Sequence, residues 1–154
     1  MSPAFIFATG IENSAPTIQG GTVRVDEMDK CAHYRHWRTD FDLVQKFGYL
    51  ELDLRRPGQG EELYIPQHPT GAPAMIAVAS DRDQAGNCAV DNPAYDGYDT
   101  DTDVSYYCDT EGGSSGSPVL SRLTNKVVAL HHFGGCPNSG VRMERIFTQI
   151  QSLL

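Results

Sequence analysis

Cations are what this chain has least of. Lysine occurs only at Lys30, Lys46 and Lys126, and 12 Lys plus Arg stand against 20 Asp plus Glu, a net charge of −8. A surface of that sign argues against nucleic acid and anionic membrane as partners, because both need clustered positive charge. Long apolar runs are missing as well. No stretch approaches the ~20 residues of a membrane span. The segment Ala4-Phe5-Ile6-Phe7-Ala8 is short and lacks the basic leader of a signal peptide. The 4 cysteines, Cys31, Cys88, Cys108 and Cys136, include no C-x-x-C pair, so a zinc knuckle and a thioredoxin-type dithiol are excluded. An even number spread over loop-like sequence suits one or two disulfides and an oxidising compartment, the alternative being unrelated buried thiols. What remains is an acidic chain of 154 residues, enough for one domain, with 40% hydrophobic residues, too many for disorder.

Helical periodicity is hard to find before residue 141. Short segments rich in β-branched and aromatic residues recur instead, at 22–25, 42–47, 50–54, 74–80, 105–108, 118–121 and 127–132. Between them stand turn formers: Arg56-Pro57-Gly58, Pro69-Thr70-Gly71, Asn92-Pro93 and Cys136-Pro137-Asn138. This spacing predicts an all-β barrel or sandwich. Residues 141–154 differ: Ile146, Ile150 and Leu153 recur at helical spacing among polar residues, which predicts a C-terminal amphipathic helix. The Asp-rich stretch 81–103 reads as a long surface loop. Within it Asp99-x-Asp101-x-Asp103 lacks the glycine and closing glutamate of an EF-hand, so a solvated acidic loop is expected and no metal. His131 and His132, adjacent on a strand, face opposite ways and do not make a two-histidine metal site. No cofactor is expected.

The segment Glu111-Gly112-Gly113-Ser114-Ser115-Gly116-Ser117-Pro118 carries the chemistry. Consecutive glycines before a serine allow backbone angles that turn several N–H groups to one side of a tight loop. Such a nest stabilises an oxyanion, and a serine at its centre is placed to attack a carbonyl carbon. A plain Gly/Ser turn is the alternative reading of the composition alone.

This segment resembles the G-x-S-G-[GS]-P signature of trypsin/chymotrypsin-like serine peptidases, in the bacterial-type branch that includes glutamyl and lysyl endopeptidases. Three further segments follow in the family's order. Thr39-Asp40-Phe41-Asp42-Leu43-Val44 resembles the strand that presents the triad aspartate. Ile65-Pro66-Gln67-His68-Pro69-Thr70-Gly71 resembles the branch's "hPxG" turn. Val128-Ala129-Leu130-His131-His132-Phe133-Gly134-Gly135 resembles the strand that lines the specificity pocket. The resemblance spans about residues 40–154 and implies a trypsin-like double β-barrel with a C-terminal helix. Residues 1–75 would be the remainder of a first barrel, and residues 76–154 the second barrel and helix.

Position by position, the resemblance implies Ser115 as nucleophile, with the N–H groups of Gly113 and Ser115 as oxyanion hole and Asp40 (rather than Asp42) orienting the base. Phe133 and Gly134 would offer backbone to an extended substrate. Thr110 and His132 match the pair that receives acidic side chains in glutamyl endopeptidases, whereas Asp109 stands where trypsin-like enzymes place an aspartate for Lys or Arg. A carboxylate and an imidazole in one pocket pull in opposite directions. Cys88 and Cys108 flank the Asp-rich stretch, and a disulfide between them would contribute about 3 kcal/mol. Cys31 either pairs with Cys136 or has its partner elsewhere.

One part of the pattern is missing. The family's T-A-[AGS]-H-C segment does not occur, and upstream of Asp40 the only histidines are His33 and His36. The expectation is an N-terminally truncated or catalytically impaired serine endopeptidase, secreted, acting on polypeptide. An inactive relative that binds a protein ligand is the alternative, and an unrelated binding β-sandwich a third.

Overall fold

The computed structural model describes residues 23–27, 36–39, 49–83 and 85–153. Strands β1 (Val23–Glu27) and β2 (His36–Thr39) pair antiparallel, with Val23 opposite Thr39. Seven further strands form one antiparallel sheet: β3 (Leu63–Gln67), β4 (Met75–Ala77), β5 (Val90–Tyr95), β6 (Asp103–Tyr106), β7 (Pro118–Ser121), β8 (Val127–Phe133) and β9 (Asn138–Arg142). Their order is β4-β3-β7-β8-β9-β6-β5. The sheet closes on itself, because Leu63 N–H of β3 donates to the Cys88 carbonyl at 2.8 Å and Val90 N–H of β5 to that of Glu61 at 3.0 Å. The sheet therefore curls into a barrel and leaves few strand edges unpaired. It takes in residues on both sides of position 75.

Period-two burial is clearest in β3, where Leu63, Ile65 and Gln67 are buried and the residues between them are not. Leu63 and Ile65 join Val90, Val104, Tyr106, Val119, Val128 and Ala129 in the core. Cys88 and Cys108, fully buried in the same core, are disulfide-bonded as anticipated. A second apolar layer covers the outside of the barrel. Helix α1 (Met143–Ile150) lays Met143, Ile146 and Ile150 over Leu120, Val127 and Leu130, with Leu50 and Leu52 packed against the same cluster.

Several elements differ from the sequence reading, each for a tertiary reason. Residues 50–54 form no strand; they run extended beside the start of β8, where Asp53 N–H donates to the Val127 carbonyl and Val127 N–H to that of Glu51. The stretch 81–103 is not all loop, since β5 lies inside it. Asn92-Pro93 misled because proline lacks an N–H, yet β5 closes one end of the sheet order and its register against β6 is bulged on both sides of Asn92. The helix begins two residues later than 141, because Val141 and Arg142 are still paired with Leu130 and Ala129 of β8.

One buried cation ties this frame to the loop before β6. The Arg142 side chain is fully buried; its guanidinium donates to the Pro93 carbonyl (2.6 Å), to the Asp101 carbonyl (2.6 Å) and to Asp101 Oδ1 (2.9 Å). Arg56 and Arg145 hold the other oxygen of the same carboxylate. Residues 96–102 are thus pinned at one end, which matters for the site below.

Candidate active site

The corner at residues 111–117 is built from its own hydrogen bonds. Ser114 N–H donates to the Glu111 carbonyl at 3.0 Å, Ser117 N–H to that of Ser114 at 3.1 Å, and Gly116 N–H to that of His131 at 2.8 Å. Gly113 and Gly116 stand at φ of 100° and 89°, backbone that L side chains rarely adopt. At Gly113 there is a second reason for glycine. A Cβ there would lie 3.1 Å from the His68 carbonyl oxygen and 3.1 Å from Thr70 N. The turn at Pro69–Gly71 presses on the corner from behind and is fastened to it, Thr70 N–H donating to the Gly112 carbonyl at 2.7 Å. Ser114 is buried while Ser115 is exposed. Among the described residues, the N–H groups of Gly113 and Ser115 donate to no backbone carbonyl. Two amides that meet no backbone carbonyl among the described residues thus sit on this corner beside an exposed hydroxyl. The Ser115 hydroxyl has one partner here, the His132 carbonyl at 3.5 Å, at the outer limit of a hydrogen bond.

Strand β8 brings the other expected residues alongside. Phe133 and Gly134 are exposed, leaving backbone open beyond Ser115. His132 and His131 do face opposite ways. His131 is buried with Nδ1 2.7 Å from the Tyr106 hydroxyl, and burial, then the neighbouring His132, pushes its pKa down to about 4. His132 turns instead to Asp103, its Nε2 lying 2.6 Å from Oδ2. Burial by itself would raise the Asp103 pKa, but hydrogen bonds from His132, Ser139 and Thr102 together hold it below the ordinary value. The carboxylate is therefore ionised at neutral pH. Tyr98 leans over the outer side of His132, ring centroids 5.4 Å apart, and over Phe133 at 4.7 Å.

Thr110 contributes a buried hydroxyl with no hydrogen-bond partner among the described residues. Its neighbour Asp109 is exposed, and the Asp109 carbonyl is held by Gln67 Nε2 at 2.9 Å. His68 closes its own turn, Nδ1 lying 3.0 Å from the Ala72 carbonyl oxygen. Asp40, Asp42, His33 and Cys31 lie outside the described residues, and of His36 only the backbone, in β2, is described. Cys136 is an exposed free thiol. Among the described residues no group of three or more His, Cys, Asp or Glu gathers to hold a metal.

Sequence reasoning missed Asp103, Tyr98 and Gln67. Only the alternation of β6 signals Asp103: Val104 and Tyr106 point into the core, so Asp103 must face the other side, toward His132. Nothing in the local sequence signals Tyr98.

Comparison with known proteins now adds three findings. The family model of the trypsin-like peptidase domain matches residues 9–130. A curated relative, the secreted RxLR effector protein 73 of Plasmopara viticola, is 39% identical over 130 residues, covering 80% of this chain and 30% of its own length. The chain thus spans under a third of that relative. A solved Glu endopeptidase, determined in complex with MPD, superposes with a TM-score of 0.57 at 20% identity, over 86% of this chain and 60% of the other. At that identity the likeness is one of fold.

Proposed function

Because the chain belongs to the trypsin-like peptidase domain family, we propose that it is a serine endopeptidase-type hydrolase with Ser115 as nucleophile. The observation that carries this reading is the pair of amides, Gly113 and Ser115, that meet no backbone carbonyl among the described residues, on a corner whose shape two positive-φ glycines impose. When the Ser115 hydroxyl attacks a peptide carbonyl, the oxygen gains charge, and these two N–H groups are the donors that meet it. The serine proton must pass to a base, and Asp40 is the residue assigned to orient that base. The leaving amine then takes the proton, and water hydrolyses the acyl-enzyme by the same route reversed.

An extended polypeptide would pair with the backbone of Phe133 and Gly134 and place one side chain between Thr110 and His132. The unpartnered Thr110 hydroxyl favours a side chain that accepts a hydrogen bond there, a carboxylate above all. Asp109, exposed and held by its backbone, takes the role of a rim residue. The buried disulfide and the secreted relative support an extracellular location.

A second reading has its own observation. Among the described residues the Ser115 hydroxyl meets no imidazole, only the His132 carbonyl. Without a base, serine is protonated and weak, and activity falls by several orders of magnitude. The cleft would then bind a peptide or protein without cutting it. A fluorophosphonate probe separates the two. Stoichiometric labelling of wild type, absent in Ser115→Ala, supports the enzyme. No labelling, with retained binding of peptides ending in glutamate, supports the binding module. Absence of both labelling and binding removes the site.

A further inference from the structure

We propose that the turn Pro69–Gly71 is a latch for the candidate oxyanion hole. By holding the Gly112 carbonyl it keeps the Gly113 N–H on the open side of the corner, with Thr70 and His68 as positioning residues. This rests on the reading of Gly113 as an oxyanion donor. Thr70 N–H donates to the Gly112 carbonyl at 2.7 Å. The peptide joining Gly112 to Gly113 is trans, because the one cis bond among the described residues is Cys136–Pro137. In a planar trans peptide the C=O and the N–H point opposite ways. With the Gly112 oxygen committed to the turn, the Gly113 N–H points away from it. On that side it meets no backbone carbonyl among the described residues.

The corner alone does not choose this arrangement. A half-turn of the Gly112–Gly113 peptide leaves the path of the chain nearly unchanged and carries Gly113 from φ 100° into the negative range. Glycine occupies the two ranges about equally, so the choice has to come from outside the corner. For chemistry the two are opposites. One presents a donor where the substrate oxygen gains charge; the other presents a carbonyl lone pair there, which repels it.

The turn is bent to make this contact and is held from several sides. Thr70 stands at φ 53° and ψ 19°, left-handed backbone that a β-branched residue seldom enters and that persists only where its surroundings enforce it. Buried Pro69 precedes it, and Ala72 N–H closes the turn on the Pro69 carbonyl at 2.8 Å. The His68 ring closes it a second time, Nδ1 lying 3.0 Å from the Ala72 carbonyl oxygen. A carbonyl only accepts, so Nδ1 is the ring nitrogen that carries the proton. Just before the turn Gln67, 4% exposed, donates from Nε2 to the Asp109 carbonyl at 2.9 Å. The same short segment therefore reaches the site strand at Asp109 and Gly112, and its His68 carbonyl lies against Gly113.

The test is in two parts. In isotope-labelled wild type, a scalar coupling through the hydrogen bond is expected between the Thr70 nitrogen and the Gly112 carbonyl carbon. Its absence would overturn the inference, and that measurement needs no variant to fold. Replacing the Thr70 amide by an ester (threonine exchanged for its α-hydroxy acid) deletes this one N–H and keeps the side chain. The Gly113 amide signal is expected to shift or split as the peptide turns over; a Gly113 signal left in place in the folded ester refutes the latch. The second part follows the rate of labelling of Ser115 by a fluorophosphonate, whose phosphoryl oxygen enters the hole. The ester is expected to slow labelling about a hundredfold, the order of one lost oxyanion-hole donor, and to leave binding of glutamate-ending peptides unchanged. His68→Leu is expected to slow it less, and His68→Asn, which still offers an N–H to the Ala72 carbonyl, to restore it. Equal losses in those two variants remove the part given to the ring. A wild type that takes no label fails the enzyme reading, and the spectra then decide the latch by themselves.

Discussion

Mild acid should destabilise this protein through one buried ring. His131 is 2% exposed and its pKa is pushed down to about 4, first by burial and then by His132, while a hydrogen bond to the Ser139 backbone opposes the shift. In the unfolded chain the same group titrates near ~6.5. Between those values the unfolded state binds more protons than the folded one, so stability is full above about pH 6.5 and falls as pH drops towards 4. At ~1.4 kcal/mol per pH unit of difference, the loss is about 2 kcal/mol at pH 5 and about 3 kcal/mol below pH 4. The carboxylates act lower. Glu61 is held down to about 2, chiefly by the hydrogen bond from Arg55, and Asp101 to about 2, chiefly by that from Arg142. Their contributions fade only below the ordinary carboxylate range, which leaves pH 6.5 to 5 to the histidine. Urea denaturation at pH 7.5, 6 and 5 measures the effect, with His131→Gln as reference. Glutamine keeps a polar partner for Tyr106 and removes the titration, so its stability is expected to be nearly flat across the window. A wild-type free energy that changes between pH 7.5 and 5 by no more than that of the variant would refute the reasoning.

Three further outcomes are expected. Gly113→Ala combines a positive φ with a Cβ 3.1 Å from backbone oxygen and nitrogen, whereas Gly112→Ala meets nothing within 4 Å. Thermal unfolding should show about 2 kcal/mol lost in the first and less than about 0.5 kcal/mol in the second, and equal losses would remove the constraint placed on the corner. Thr110→Val fills the same volume and deletes an unpartnered buried hydroxyl; it is expected to hold or raise stability by up to about 1 kcal/mol while weakening binding of glutamate-ending peptides. Replacing both Cys88 and Cys108 by alanine opens a link across a sequence separation of 20, and chemical denaturation should report a loss of about 3 kcal/mol.

How much of this was legible beforehand depends on the range over which each feature is decided. The corner at Gly113 and Gly116 is a local matter: a tight turn with amides on one side needs glycine at fixed offsets, and that shows in eight consecutive residues. Strands β7 and β8 and the apolar face of α1 were equally plain, because apolar, β-branched runs between turn formers and helical spacing are written along the chain itself. Strand β5 was obscured by Asn92-Pro93, since whether a proline is tolerated depends on which neighbour its strand has, and at the end of the sheet order the missing N–H does little harm. The backbone of His132 lies beside Ser115, its carbonyl 3.5 Å from the serine hydroxyl, but the orientation of its ring was not readable from its own surroundings.

The chain by itself determined an acidic all-β protein with a serine on a diglycine corner, because charge, periodicity and turn chemistry need no distant partner. Tertiary structure alone decided what His132 faces. Asp103 lies 29 residues away along the chain, and Tyr98 reaches the ring only because Gly97 allows its loop to rest on that carboxylate. A hydrogen bond between groups so far apart in sequence exists only once β6, β8 and β9 are packed side by side, and no local pattern encodes which of two buried faces will hold the charge.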